Sequence, residues 1–113
     1  MRVIFIEEFE RMGVDGVIAE ARRVVGDSAT YLSLDIDGLD PVFARGTGTP
    51  EVGGISSREA LQLLRGLAGL NIMSADLVEV APPYDPSGNT TLLAATLMYE
   101  QLCLLAGAAR RMA

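Results

Sequence analysis

Strand-like and helix-like runs alternate along this chain, and that alternation constrains the fold more than any other feature. Arg2–Ile6 is a short β-branched run that reads as a strand. Glu7–Met12 reads as a helical turn that Gly13 interrupts. Val14–Val25 places apolar residues at 14, 17, 18, 21, 24 and 25, the spacing of one helix face. Thr30–Leu34 is strand-like again, with Tyr31, Leu32 and Leu34 expected to be buried. Ser56 and Glu59 make a capping-box pair that opens a helix to about Leu70. Ile72–Val80 then reads as a strand, and Thr90–Ala106 as a nearly all-apolar helix with Gly107 as its stop and Arg110–Ala113 as a frayed tail. Alternation of this kind implies a parallel sheet with right-handed crossovers. The expected class is α/β, three layers in the order α/β/α, with three parallel strands and about three helices.

Three strands are few for a doubly wound domain, whose sheet needs cover on both faces. The helix Thr90–Ala106 should be buried on most sides, which three strands hardly achieve. A strand at residue 2 has no lead-in. Residues 1–113 are therefore expected to form the carboxyl-terminal segment of a larger domain, incomplete alone.

The chemistry concentrates where the strand from Thr30 ends, in Ser-Leu-Asp-Ile-Asp-Gly-Leu-Asp-Pro, residues 33–41. Side chains two apart on a strand face the same way, so Asp35 and Asp37 converge at a carboxyl end. That rim is where open parallel sheets bind ligands. Adjacent carboxylates repel unless a proton or cation lies between them, and oxygen donors suit Mg, Mn or Ca. Aspartates that merely cap turns are the plain alternative. An EF-hand fits poorly, because counting from Asp35 its glycine and glutamate positions hold Asp40 and Gly46. The aperiodic stretch Val42–Ile55, rich in Gly and Thr, follows directly and reads as an ordered active-site loop rather than a flexible surface one. Glu79 lies just before Ala81-Pro82-Pro83, at another strand's end. It is placed either to receive a guanidinium by a bidentate fork or to pair with one of the arginines.

Composition narrows the function further. The chain has no histidine and no lysine, and its nine basic residues are all arginine. Ser-His and Cys-His nucleophiles, His-ligated zinc, Schiff-base lysines and the P-loop lysine are thereby excluded within this chain. A net charge of −6 argues against nucleic acid and anionic membrane surfaces as partners. The single cysteine, Cys103, allows no internal disulfide and fits a reducing, cytoplasmic location. The most apolar segment, Leu92–Leu105, is shorter than the ~20 residues of a membrane-spanning helix, so a soluble chain is expected. Arg22 and Arg23 are expected on a solvated helix face.

Ser33–Pro41, Gly46–Gly54 and Asp76–Asp85 together resemble the ureohydrolase family of arginases and agmatinases, over about residues 2 to 106. The run Gly-Thr-Gly-Thr-Pro-Glu with its following Gly-Gly is similar to the agmatinase and guanidino-acid hydrolase branch more than to arginase. The resemblance implies a partial arginase-like fold and hydrolysis of a guanidino group to urea and an amine at a binuclear manganese centre. It implies a small guanidino substrate and a homo-oligomer. By motif match, Asp35 and Asp37 correspond to metal ligands, and Asp37 also to a catalytic group that steers the attacking hydroxide. Glu79 corresponds to the glutamate that receives the substrate guanidinium, and Thr49 to the loop lining that pocket. Asp40 is expected to shape the turn. The family's Gly-Gly-Asp-His and Asp-Ala-His-x-Asp motifs, with their histidines, are absent. About the last third of a family domain of roughly 300 residues is present. The expected function is that of the carboxyl-terminal part of a manganese-dependent, agmatinase-like amidinohydrolase, inactive in isolation. The alternative is a non-catalytic binding or assembly module with a vestigial metal half-site, completed by a separate amino-terminal portion or by self-association.

Overall fold

The computed structural model describes all 113 residues. Its regular elements are α1 (Ile6–Val25), β1 (Thr30–Asp35), α2 (Ser57–Gly66), β2 (Ile72–Val78) and α3 (Asn89–Met112). Short 3-10 turns, Ile36–Gly38 and Pro82–Tyr84, follow the two strands. The strands pair in parallel, with Ser33 opposite Asp76, Leu34 opposite Leu77 and Asp35 opposite Val78. The α/β class and the parallel sheet agree with the sequence reading.

The sheet has two strands, not three. Arg2–Phe5 carries strand-forming residues but finds no neighbouring strand, and a strand without a ladder leaves its backbone unpaired. The segment is tied to α1 instead. The Arg2 guanidinium donates to the Glu8 carboxylate and, at 2.9 Å, to Glu20. Helix α1 therefore starts earlier than its apolar spacing suggested. Gly13, at φ +70° and ψ 168°, still breaks its regularity.

Leu32 and Leu34 pack on a core formed by Ile36, Leu39, Ala60, Leu64, Ile72 and Leu97 among others, so the helices cover that side. The opposite side of β1, formed by Tyr31, Ser33 and Asp35, is exposed. Tyr31, expected to be buried, is 60% exposed. Its hydroxyl donates to Asp76, which also accepts from Ser33 at 2.7 Å. These bonds hold the Asp76 carboxyl below the usual range and satisfy the acid embedded in β2.

Helix α2 opens on the full reciprocal capping box. Ser56 accepts from the Glu59 amide at 3.1 Å, and Glu59 accepts from the Ser56 amide at 2.7 Å. It ends at Gly66, a few residues before Leu70. Arg22 is not merely solvated; it donates to the carbonyls of Gly66 and Ala68 at 2.9 Å each, where α2 exposes unpaired acceptors.

Helix α3 runs 24 residues, through Gly107 to Met112. Gly107 is not a stop. Leu104 and Ala108 flank it on the buried face, and that packing outweighs the ~1 kcal/mol cost of glycine in a helix. The tail is anchored as well, because Arg111 donates to the Leu70 carbonyl at 2.8 Å. Burial repeats at Thr90, Ala94, Leu97, Gln101, Leu104 and Ala108, alternating steps of four and three, so one stripe faces the core. Leu92, Met98, Tyr99 and Leu102 stay exposed, contrary to the expected burial on most sides. At its full length the helix is long and apolar enough to cross a membrane by those two measures alone, which corrects the length argument made for Leu92–Leu105.

Candidate metal centre

The turn after β1 separates its residues by polarity. Ile36 and Leu39 point into the core, 0% and 2% exposed, and lock the turn in place. Asp35 and Asp37 are thereby left at the rim. The Asp37 amide donates to Asp35 Oδ1 at 3.1 Å, so the two acids share one short turn. Thr49 Oγ1 donates to Asp37 Oδ2 at 2.6 Å, which brings the middle of the Gly/Thr-rich loop onto the acids.

Several contacts order that loop. Asp40 Oδ1 accepts from the Val42 amide and Oδ2 from the Gly53 amide, each at 2.9 Å. Within its first half, Gly46 donates to Thr90 Oγ1 at 2.9 Å and accepts from the Ala81 amide at 2.8 Å. The loop thus touches both the start of α3 and the segment after β2. Asp85 completes this joint. It accepts from the Thr90 and Thr91 amides at 3.0 and 2.8 Å and from the Thr91 hydroxyl at 2.7 Å, capping α3 from outside. These bonds hold the Asp85 carboxyl below its ordinary range. An aspartate five residues before Thr90 is the sequence signal for this cap.

Glu79 sits one residue beyond Val78, the register partner of Asp35. It is the one non-glycine residue with positive φ, at +69°. Left-handed backbone at a residue with a β-carbon is strained and tends to occur at functional sites. Glu79 makes no ion pair with any arginine; the salt bridges lie elsewhere, on Arg2, Arg23 and Arg65. The rim is thus acidic and has no basic partner. Its charge is felt at Asp35, whose carboxyl is pushed above the usual range, first by desolvation and then by the Asp37 and Glu79 carboxylates. Asp40 is different. Its two amide donors hold it below the usual range, so it serves the turn rather than the rim.

As donors, Asp35 and Asp37 suit a hard divalent cation such as manganese, and the unbalanced charge of the rim favours one. They fit as half a set. No group of three or more His, Cys, Asp or Glu side chains in the chain is placed to hold a metal.

An α/β scaffold with functional side chains at the carboxyl ends of parallel strands describes the class of α/β proteins that bind ligands at that edge. The arginase family model matches residues 1–103, and the chain belongs to the arginase family. It is 58% identical over 113 residues to guanidinopropionase of Pseudomonas aeruginosa, covering all of this chain and 36% of that protein. It is 52% identical over 106 residues to the mitochondrial agmatinase of Gallus gallus, covering 94% of this chain and 31% of that one. Among solved structures, it superimposes on the proclavaminate amidino hydrolase of Streptomyces clavuligerus with a TM-score of 0.92 at 44% identity, over 96% of this chain and 36% of that one. The chain thus spans about a third of the length of these relatives.

Proposed function

We propose that this chain supplies the carboxylate half of a binuclear manganese centre in a ureohydrolase that converts a guanidino compound and water into urea and an amine. The observation that carries the reading is the joining of Asp35, Asp37 and Thr49 on one rim with an unpaired Glu79 beside it. Bound manganese would supply Lewis-acid activation of water near neutral pH. Asp35 and Asp37 would hold it through oxygen. Thr49 fixes the rotation of the Asp37 carboxylate, so that Oδ1 remains free to face the cation. Glu79 is free to receive a guanidinium by two parallel N–H···O bonds and to orient it. Its strained backbone suits a side chain held in place for a ligand rather than for the fold.

The two acids hold no complete metal set, so the chain alone is inactive in this reading. That same observation is what favours the rival, a non-catalytic assembly module. A chimera separates them. This chain replaces the corresponding third of P. aeruginosa guanidinopropionase, and urea release is followed with manganese on 3-guanidinopropionate, 4-guanidinobutyrate and agmatine. Turnover that Asp35→Asn or Glu79→Gln abolishes supports the proposal. A folded, manganese-loaded chimera that turns over none of them refutes it, and urea release by the 113-residue chain alone refutes the claim of inactivity.

A further inference from the structure

We infer that Asp40 is the positioning residue of this centre: it clamps the two ends of the Gly/Thr-rich loop and thereby holds Thr49 against Asp37. Only the consequence for metal binding rests on the reading proposed above; the clamp itself is geometry. Asp40 spends one carboxylate oxygen on Val42, where the loop leaves the turn, and the other on Gly53, where it returns. Two backbone bonds reinforce the same closure, Asp40 N–H to the Ile55 carbonyl at 2.9 Å and Ile55 N–H to the Gly38 carbonyl at 3.1 Å. Gly54 permits the approach. A β-carbon there would lie 2.6 Å from the Gly38 oxygen and 2.7 Å from the Asp40 nitrogen.

Thr49 is held from its amino-terminal side by Gly46 and the buried Thr47, and from its carboxyl-terminal side by this clamp. It is exposed, lies between the exposed Gly48 and Pro50, and its hydroxyl bonds to Asp37 and nothing else. Packing therefore does not choose its rotamer; the path of the backbone does. A loop of this length with one end released would sample many closures, and the Thr49 hydroxyl would average over staggered wells. Asp40 touches neither acid of the rim, so it acts through the loop.

The test compares the wild-type chain with Asp40→Asn and Gly54→Ala by NMR. The amide variant keeps one acceptor and loses the other at nearly constant volume. The alanine variant forces the loop end away and leaves the Asp40 side chain in place, so the two perturb one clamp by independent routes. In both, the three-bond couplings from Thr49 Cγ2 to its own nitrogen and carbonyl carbon should fall from single-rotamer to averaged values. Amide exchange at Gly53 and Ile55, the donors at the returning end of the loop, should rise by roughly tenfold or more, while β1 and β2 amides keep their protection. A merely structural role would instead raise exchange evenly over sheet and loop and leave the Thr49 couplings intact. Thr49 remaining in one rotamer in both variants would overturn the inference. Loss of Thr49 order in the variants, with added Mn2+ broadening no signal near Asp35 and Asp37 in the wild type, would uphold the clamp and count against the metal reading alone.

Discussion

Glu79 offers the sharpest test of the site, because its backbone and its side chain make separate predictions. At φ +69° its β-carbon crowds the chain, at a cost of about 1–2 kcal/mol. Replacement by glycine removes that cost. The greater freedom of glycine in the unfolded chain offsets about 0.4–1 kcal/mol of the gain. The Glu79→Gly variant should therefore be more stable than Glu79→Ala by about 1 kcal/mol. Alanine is the right reference, since both substitutions remove the same charge beside Asp35 and only one removes the β-carbon. With an unfolding entropy of about 2.1 cal/mol/K per residue, 113 residues give about 0.24 kcal/mol/K, so the gap in Tm should be about 4 °C. Thermal unfolding followed by far-ultraviolet circular dichroism measures it. Both variants should also abolish urea release in the chimera described above. Coincident melting curves for the glycine and alanine variants would show that the left-handed conformation carries no strain, and the argument from it to a functional role would fail.

Asp35 sets a pH dependence of definite sign. Its carboxyl binds a proton more tightly folded than unfolded, so its contribution is most favourable in acid and is lost as pH rises from the ordinary carboxylate range through the raised pKa. Urea midpoints of wild type minus those of Asp35→Asn, measured from about pH 3 to about pH 8, should fall across that window, and a rise would contradict the reading. Gly46→Ala should cost about 1–3 kcal/mol, because the new β-carbon would lie 2.6 Å from Asp85 Cβ and 2.9 Å from Thr90 Cβ, neither of which can swing aside; denaturant titration measures it. Thr47 is 2% exposed and its hydroxyl has no partner, so Thr47→Val should gain about 1 kcal/mol in the same titration. Thr49→Val, at an exposed position, should change stability by no more than about 0.5 kcal/mol while weakening Mn2+ binding, read by electron paramagnetic resonance.

What could be read from the residues, and what could not, divides by the range of the forces involved. The acidic turn was legible because period-two burial and the Gly38 and Pro41 breaks act within a few residues. The capping box of Ser56 and Glu59 was legible for the same reason. Arg2–Ile6 was misread because strand propensity is only permission; a strand exists where another strand bonds to it, and none does here. Gly107 was misread in the opposite sense, since a local breaker lost to the packing of Leu104, a turn before it, and Ala108, next to it. The bonds of Arg22 and Arg111 to the carbonyls around the end of α2 span more than forty residues and leave no local trace. Of the site, the acids and Thr49 came from their motif. The positive φ of Glu79 depends on how β2 hands the chain to α3, which no spacing rule encodes.

The pairing of β1 with β2 leaves each strand bonded along a single side. The outer row of amides and carbonyls on each is a template for another copy, and neither strand contains the proline or lysine that commonly blunts such a row. Strand addition between molecules, rather than electrostatic repulsion from a charge of −6, should therefore limit how concentrated a solution of this polypeptide can be made.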